Sequence, residues 1–238
     1  MTNTLKNITI IGGEGQMGRL LIRKFKAIGL AIHSLDKPLV EKDIESFLPE
    51  ADLVLLSVPI TALDNVLQNI KGFLTPPTIL ADICSVKVIP MTKMEESYAG
   101  PVVGTHPLFG PEPAKDDPLK VAICPSSRKK DEQALEAVQN LFSCAGMNTF
   151  VTSAQEHDEA MAYIQGLNFI TTLSYFACLP EELDLDKFIT PSFKRRMDAA
   201  RKMLTQDVSL FTKLFEQNPL SGKSVRRFKS FLSVCAAG

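Results

Sequence analysis

The chain has 238 residues, 45% of them hydrophobic, and a formal net charge of −1, enough for one large domain or two modest ones around a buried core. A charge so close to zero gives no electrostatic reason to bind nucleic acid or an anionic membrane surface. No apolar run approaches the roughly 20 residues that cross a bilayer, and residues 1–6 lack the apolar region of a signal peptide, so a cytoplasmic protein is expected.

A β-branched apolar run over residues 8–11 leads directly into Gly13-Glu14-Gly15-Gln16-Met17-Gly18, and residues 19–27 follow as an amphipathic helix. A second strand-like run over residues 31–35 ends at Asp36. In this strand, turn and helix context a glycine pattern that is weak alone becomes a dinucleotide fingerprint. Gly13 is expected to make the tight turn, Gly15 to let the backbone approach a pyrophosphate, and Gly18 to let the helix pack on the strand. The pyrophosphate then meets the helix start at Gln16 and Met17, where free N–H groups and the helix dipole favour an anion. Asp36 can accept hydrogen bonds from the ribose hydroxyls of NAD and would repel the 2′-phosphate of NADP, so NAD is the expected cofactor.

Further strand-like runs cover residues 53–58, 78–83 and 102–105, with helical stretches between the first four strands. That alternation indicates α/β architecture with a Rossmann-like, doubly wound parallel sheet. A strand over 121–124, a helix over 131–144 and a short strand over 149–152 complete a nucleotide-binding domain of residues 1–152. Ser153-Ala154-Gln155-Glu156 then reads as a capping box, opening a long helix from residue 154 to about 179. From Phe193 the apolar residues Met197, Ala200, Leu204, Val208, Phe211 and Phe215 recur at three- and four-residue spacings and form one helical stripe. Residues 153–238 are therefore read as a second, all-helical domain. A stripe of this kind needs a partner face, so a homodimer is expected. The basic stretch around Lys223, Arg226, Arg227 and Lys229 reads as the solvated face of a last helix.

Ligands of an open α/β sheet sit outside the carboxyl ends of its strands, and three segments fall there. Ser57-Val58-Pro59 ends the third strand on the expected nicotinamide side. Ser85 and Lys87 follow the fourth, and His106 follows the fifth. An imidazole titrating near neutrality can take the proton of a substrate hydroxyl as hydride leaves the same carbon. Ser85 is expected to hydrogen-bond that hydroxyl or orient the imidazole, and Lys87 to attract a substrate carboxylate. The three histidines, His33, His106 and His157, form no ligand-spaced pair, so no metal centre is expected. Five scattered cysteines without a CxxC pair are read as reduced and mostly buried thiols.

Gly13-Glu-Gly-Gln-Met-Gly18, Ser57-Val-Pro59, Ser85-Val-Lys87, His106-Pro-Leu-Phe-Gly-Pro111 and Glu156-His157-Asp158 with Met161, Ile164 and Gln165, in this order, resemble prephenate dehydrogenase. The resemblance covers roughly residues 7–217 and is closest to the dehydrogenase part of the bifunctional enterobacterial type. It implies an NAD-dependent oxidative decarboxylation of prephenate to 4-hydroxyphenylpyruvate, in tyrosine biosynthesis. His106 would be the catalytic base, Ser85 the serine contacting both that histidine and the substrate, and Gln165 a substrate-side residue. His157, at a helix start, is read as an interdomain structural residue rather than a catalyst.

The departures from the family concern the helical domain. Phe169 stands where many members carry a second active-site histidine, and Lys202 where an arginine holds the ring carboxylate; lysine keeps the charge but loses the bidentate fork. Arg196 and Arg201 flank the apolar stripe and are candidates to take over that contact, with Lys202 pointing nearly opposite. Family members continue through further helices that help build a dimer, so the extent of a dimer here is open. Two competing readings follow from these departures. One is the same chemistry on arogenate or 4-amino-4-deoxyprephenate, and the other is a nucleotide-binding regulatory protein without turnover.

Overall fold

The computed structural model describes residues 4–128, 131–206 and 208–237, with the side chains of Lys202 and Gln206 outside the description. The chain divides into two compact units, Met1–His157 and Asp158–Gly238. The division falls inside the helix that follows the expected boundary at residue 152. Ala154 on its first turn still packs against the core of the first unit.

The first unit is built on one seven-stranded sheet in the order β2-β1-β3-β4-β5-β6-β7. The strands are β1 (Asn7–Ile11), β2 (Ala31–Leu35), β3 (Leu53–Leu56), β4 (Ile79–Asp82), β5 (Val102–Pro107), β6 (Lys120–Pro125) and β7 (Asn148–Val151). Neighbours are parallel except β5 and β6, which run antiparallel with His106 opposite Ala122. The sheet is thus the expected doubly wound parallel type, with one antiparallel pair near its edge. The chain between them, residues 108–119, holds no helix, so it returns without the crossover that a parallel pair needs.

Strand periodicity sorts the core into two layers. Ile8, Ile10, Leu53 and Leu55 face helices α1 (Gln16–Ala27) and α5 (Glu132–Cys144), where the Phe25 and Phe142 rings meet edge to face at 5.6 Å. Ile11, Val54 and Leu56 face α2 (Glu41–Phe47), α3 (Ile60–Ile70) and α4 (Val88–Ser97). Covering on both faces explains why β3 and β4 are buried at every residue, with β3 apolar throughout and β4 apolar up to its last residue, Asp82.

Helix α6 (Ala154–Met161) starts at half a capping box. Ser153 Oγ accepts from the Glu156 N–H at 3.1 Å, while the Glu156 carboxylate accepts from the Thr152 hydroxyl instead of returning to the cap. A π-helical segment, Ala162–Leu167, joins α6 to α7 (Asn168–Ala177), so the predicted long helix is present with a widened turn. In the second unit α8 (Pro191–Arg201), a π-helical turn (Lys202–Gln206), α9 (Val208–Gln217) and α10 (Ser221–Ala236) follow.

The apolar stripe that begins at Phe193 is used inside this unit. Phe193 lies against the Tyr175 and Phe176 rings at 6.3 Å, Phe211 stacks on Phe169 at 5.9 Å, and Ala200 is buried. The partner face expected from a second copy is, for these residues, supplied by α7. Exposed apolar side chains include Val208 on the stripe, Leu210 on α9, and Phe231, Leu232 and Val234 on α10. Arg226, Arg227 and Lys229 of α10 are exposed, as the basic stretch predicted. The five cysteines form no disulfide; Cys84 and Cys124 are buried, whereas Cys178 and Cys235 are exposed, so the thiols are not mostly buried.

Candidate active site

The sheet order places a topological switch between β1 and β3, where connections leave β1 and β3 on opposite sides and open a crevice beyond the strand ends. A cleft of about 870 Å³ lies there, bordered by Gly12, Gly15, Asp36, Ser57, Val58 and Pro59. Gly12 carries the left-handed turn, with φ of +89°, and a Cβ on it would collide with the Ser57 carbonyl. Gly13 lies inside the same turn, which the Gly15 N–H closes on the Gly12 carbonyl at 3.2 Å. Gly13 is held by a different constraint, the Ser34 side chain that occupies the place of its Cβ.

Gly15 and Gly18 follow on the same loop and the first turn of α1. A Cβ on Gly15 would meet only the Gly12 carbonyl, at 3.3 Å, which leaves its outer side open to an approaching ligand. A Cβ on Gly18 would press into the backbone of Gly12 and Gly13, so its absence lets α1 pack against the turn. Gly15 is also the N-cap of α1 and brings no side-chain acceptor, so the first-turn N–H groups at Gln16 and Met17 are not capped by it.

Asp36 sits one residue past β2 with both carboxylate oxygens anchored. Oδ2 accepts from the Glu14 N–H at 2.7 Å and Oδ1 from the Lys37 N–H at 3.0 Å. The glycine loop thus aims the carboxylate at the cleft, and its remaining lone pairs can receive ribose hydroxyls. Sequence reasoning missed Gly12, Asn65 and Asn69 among the cleft residues. Asparagines four apart on α3 read as a solvated helix face, and only the neighbouring β1 and β2 ends turn that face into a wall.

A second polar cluster forms at the ends of β4 and β5. Asp82, the last residue of β4, accepts from Lys87 Nζ at 2.6 Å on each oxygen and from the Cys84 N–H at 2.9 Å. Lys87 gives its third hydrogen bond to the Thr105 carbonyl at 2.7 Å, and neither charged side chain has any solvent exposure. The expectation that Lys87 meets a substrate carboxylate is corrected: its ammonium staples the loop after β4 to β5. That loop carries Ser85, half-buried, with no hydrogen bond to His106 among the described residues. The Cys84 thiol in the same loop is pushed well above its ordinary pKa, by burial first and by the Asp82 charge second.

His106 follows Thr105 on β5 and is 4% exposed. Its Nδ1 lies 2.9 Å from Nε2 of His157, with ring centroids 5.1 Å apart and planes 70° apart. Its Nε2 has no hydrogen-bond partner among the described residues. Burial, followed by the charges His157 and Lys87 can carry, holds the His106 pKa well below 6.5, so the ring is neutral at neutral pH. His157, read from sequence as a structural residue, is a direct partner of the candidate base, across 51 residues of chain. No local pattern signals that pairing.

In the second unit Gln165 is half-buried on the π-helical segment, and the Arg196 guanidinium lies 3.6 Å from the centroid of the Tyr175 ring, a cation–π contact. Arg201 ends α8 and is exposed, while the Lys202 side chain lies outside the described residues. Phe169, which replaces the family's histidine, is a core residue stacked on Phe211.

An anion-receiving helix start beside a carboxylate that faces sugar hydroxyls is the arrangement of Rossmann-type dinucleotide-binding proteins. Residues 38–151 match the family model described as prephenate dehydrogenase, nucleotide-binding domain. The T-protein of Enterobacter agglomerans is 31% identical over 94% of this chain and that of Haemophilus influenzae 32% identical over 89%. This chain spans 60% and 56% of those two relatives, respectively. The crystal structure of prephenate dehydrogenase from A. aeolicus, solved with hydroxyphenyl propionate and NAD+, superposes with a TM-score of 0.80 at 20% identity, covering 98% of this chain and 90% of that one. Residues 38–151 thus carry the nucleotide-binding domain of the prephenate dehydrogenase family.

Proposed function

We propose that the chain is an NAD-dependent dehydrogenase that converts prephenate to 4-hydroxyphenylpyruvate and carbon dioxide, within tyrosine biosynthesis. One observation carries the chemistry: His106 is neutral, buried, and has its Nε2 without a protein partner, in the same unit as the glycine loop. The family relatives support the substrate. NAD, when bound, supplies the hydride acceptor, and the cleft residues fit it through the open Gly15 backbone and the anchored Asp36 carboxylate.

The residues act on the substrate in a balanced sequence. His106 Nε2 takes the proton of the ring hydroxyl while the carbinol carbon gives up its hydride, leaving a ring carbonyl conjugated with the alkenes. The bond to the ring carboxylate then breaks, releasing carbon dioxide, its electron pair enters the ring, and the carbonyl oxygen becomes a phenolate that takes back the proton held on His106. Ser85 donates to or accepts from the reacting oxygen, and Lys87 with Asp82 keeps the Ser85 loop against β5. Arg201 is the cation assigned to the substrate carboxylate, because Arg196 is already stacked on Tyr175.

The protein acts as a cytoplasmic homodimer in this reading. Five cysteines without a disulfide and the exposed Phe231, Leu232 and Val234 of α10 support the two parts of that statement. Among the described residues no helix is long and apolar enough to cross a membrane. The test is His106→Asn: turnover falls about 10²- to 10⁴-fold with NAD binding intact. Loss of NAD affinity with turnover retained would make His106 a structural residue and overturn the assignment.

A further inference from the structure

We infer that His157 is a positioning residue that fixes the tautomer of the base His106. The inference rests on the reaction proposed for His106. A neutral imidazole is a base at only one nitrogen, the one without hydrogen. For Nε2 to receive the substrate proton, the ring hydrogen must sit on Nδ1, and Nδ1 faces His157 Nε2 at 2.9 Å. A neutral His157 that offers its Nε2 lone pair accepts that hydrogen and disfavours the opposite tautomer.

The geometry makes the contact selective. Both rings are nearly excluded from water, at 4% and 3% exposure, so water does not readily replace the partner. The planes stand at 70°, so this is an in-plane approach by at least one nitrogen rather than ring stacking. When His106 becomes an imidazolium, Nδ1–H still donates to the same lone pair, and the bond strengthens as the donor gains charge. The dyad therefore holds the base in its reactive form before proton transfer and supports the cation afterwards. A protonated His157 would present N–H to Nδ1 and drive the hydrogen of neutral His106 onto Nε2, which abolishes the base. A further charged group acting on His106 is Lys87, at the start of α4, held in its ion pair with Asp82.

Two substitutions separate positioning from mere filling of a buried polar space. In His157→Gln the longer side chain can bring an amide oxygen to the place of Nε2 and cannot be protonated near neutrality. In His157→Asn the side chain is polar but shorter. The expected result is that Gln keeps kcat within about threefold of the original, while Asn lowers kcat about tenfold, the scale of one lost hydrogen bond in the transition state, with KM unchanged.

Nitrogen-15 spectra of the histidine rings give a readout independent of turnover. His106 should carry its hydrogen on Nδ1 in the original protein and in His157→Gln, and should show a mixture in His157→Asn. A His106 that carries its hydrogen on Nε2 in the original protein, or equal kcat values for Gln and Asn, would overturn the inference. An original protein with the Nδ1–H tautomer but no turnover of prephenate would contradict the proposed reaction and leave the dyad standing.

Discussion

Replacing Lys87 by Ala separates a structural cation from a substrate-binding one. The ammonium makes two 2.6 Å hydrogen bonds to Asp82 and one of 2.7 Å to the Thr105 carbonyl, and both charged side chains are fully buried. Its removal leaves the Asp82 carboxylate in the interior, still accepting from the Cys84 N–H but without its countercharge. Breaking a buried pair from one side costs about 3–5 kcal/mol, which for a chain of this size lowers Tm by roughly 10 °C or more. Denaturant and thermal unfolding of Lys87→Ala measure the loss. Combining Lys87→Met with Asp82→Asn should recover most of it, because neither charge is then buried alone while the amide can still accept from Cys84. A Lys87→Ala protein as stable as the original, with only its KM raised, would refute the staple and restore Lys87 as a carboxylate ligand.

Asp36→Ala should weaken NAD binding about tenfold while improving NADP binding, because the ribose contact and the repulsion of the 2′-phosphate vanish together; calorimetric titration of both cofactors measures it, and unchanged affinities would remove Asp36 from the site. Arg201→Gln should raise KM about tenfold with little change in kcat, and silence in steady-state kinetics would pass the carboxylate contact to Arg196 or Lys202. The depressed His106 pKa sets the sign of two pH effects. As a base it works deprotonated, so kcat/KM should hold through neutrality and fall only well below pH 6.5; a fall beginning above 6.5 would contradict the burial argument. Since the folded state resists protonation that the unfolded chain accepts, this group's stability contribution is complete above 6.5 and is lost as pH drops toward its folded value.

The architecture was legible where local pattern and tertiary context agree. The β1 run, the glycine spacing and Asp36 at the end of β2 are readable locally, and β3 announces a strand covered on both faces by being apolar throughout. Gly12 was passed over because the fingerprint counts from the next glycine, although the turn needs its positive φ one residue earlier. Lys87 was misread because a lysine three residues from an active-site loop looks the same in sequence whether it reaches a ligand or a carboxylate five residues back. The antiparallel β5–β6 pair and the His106–His157 contact depend on long-range packing, which no local periodicity encodes. The Phe193 stripe was legible as apolar but not as already covered, since its partners Tyr175 and Phe176 lie on a separate helix.

The central claim, an NAD-dependent oxidative decarboxylation that uses His106 as base, meets its most direct test in one parallel assay. The purified protein is incubated with NAD and prephenate, arogenate or 4-amino-4-deoxyprephenate, following NADH absorbance and identifying the aromatic product. The account predicts NADH formation with prephenate, one 4-hydroxyphenylpyruvate and one carbon dioxide per NADH, and collapse of that signal in His106→Asn. NADH formation from only an amino analogue would contradict the substrate assignment, and NAD binding without turnover of any of the three would contradict the claim that the protein is a dehydrogenase of this kind.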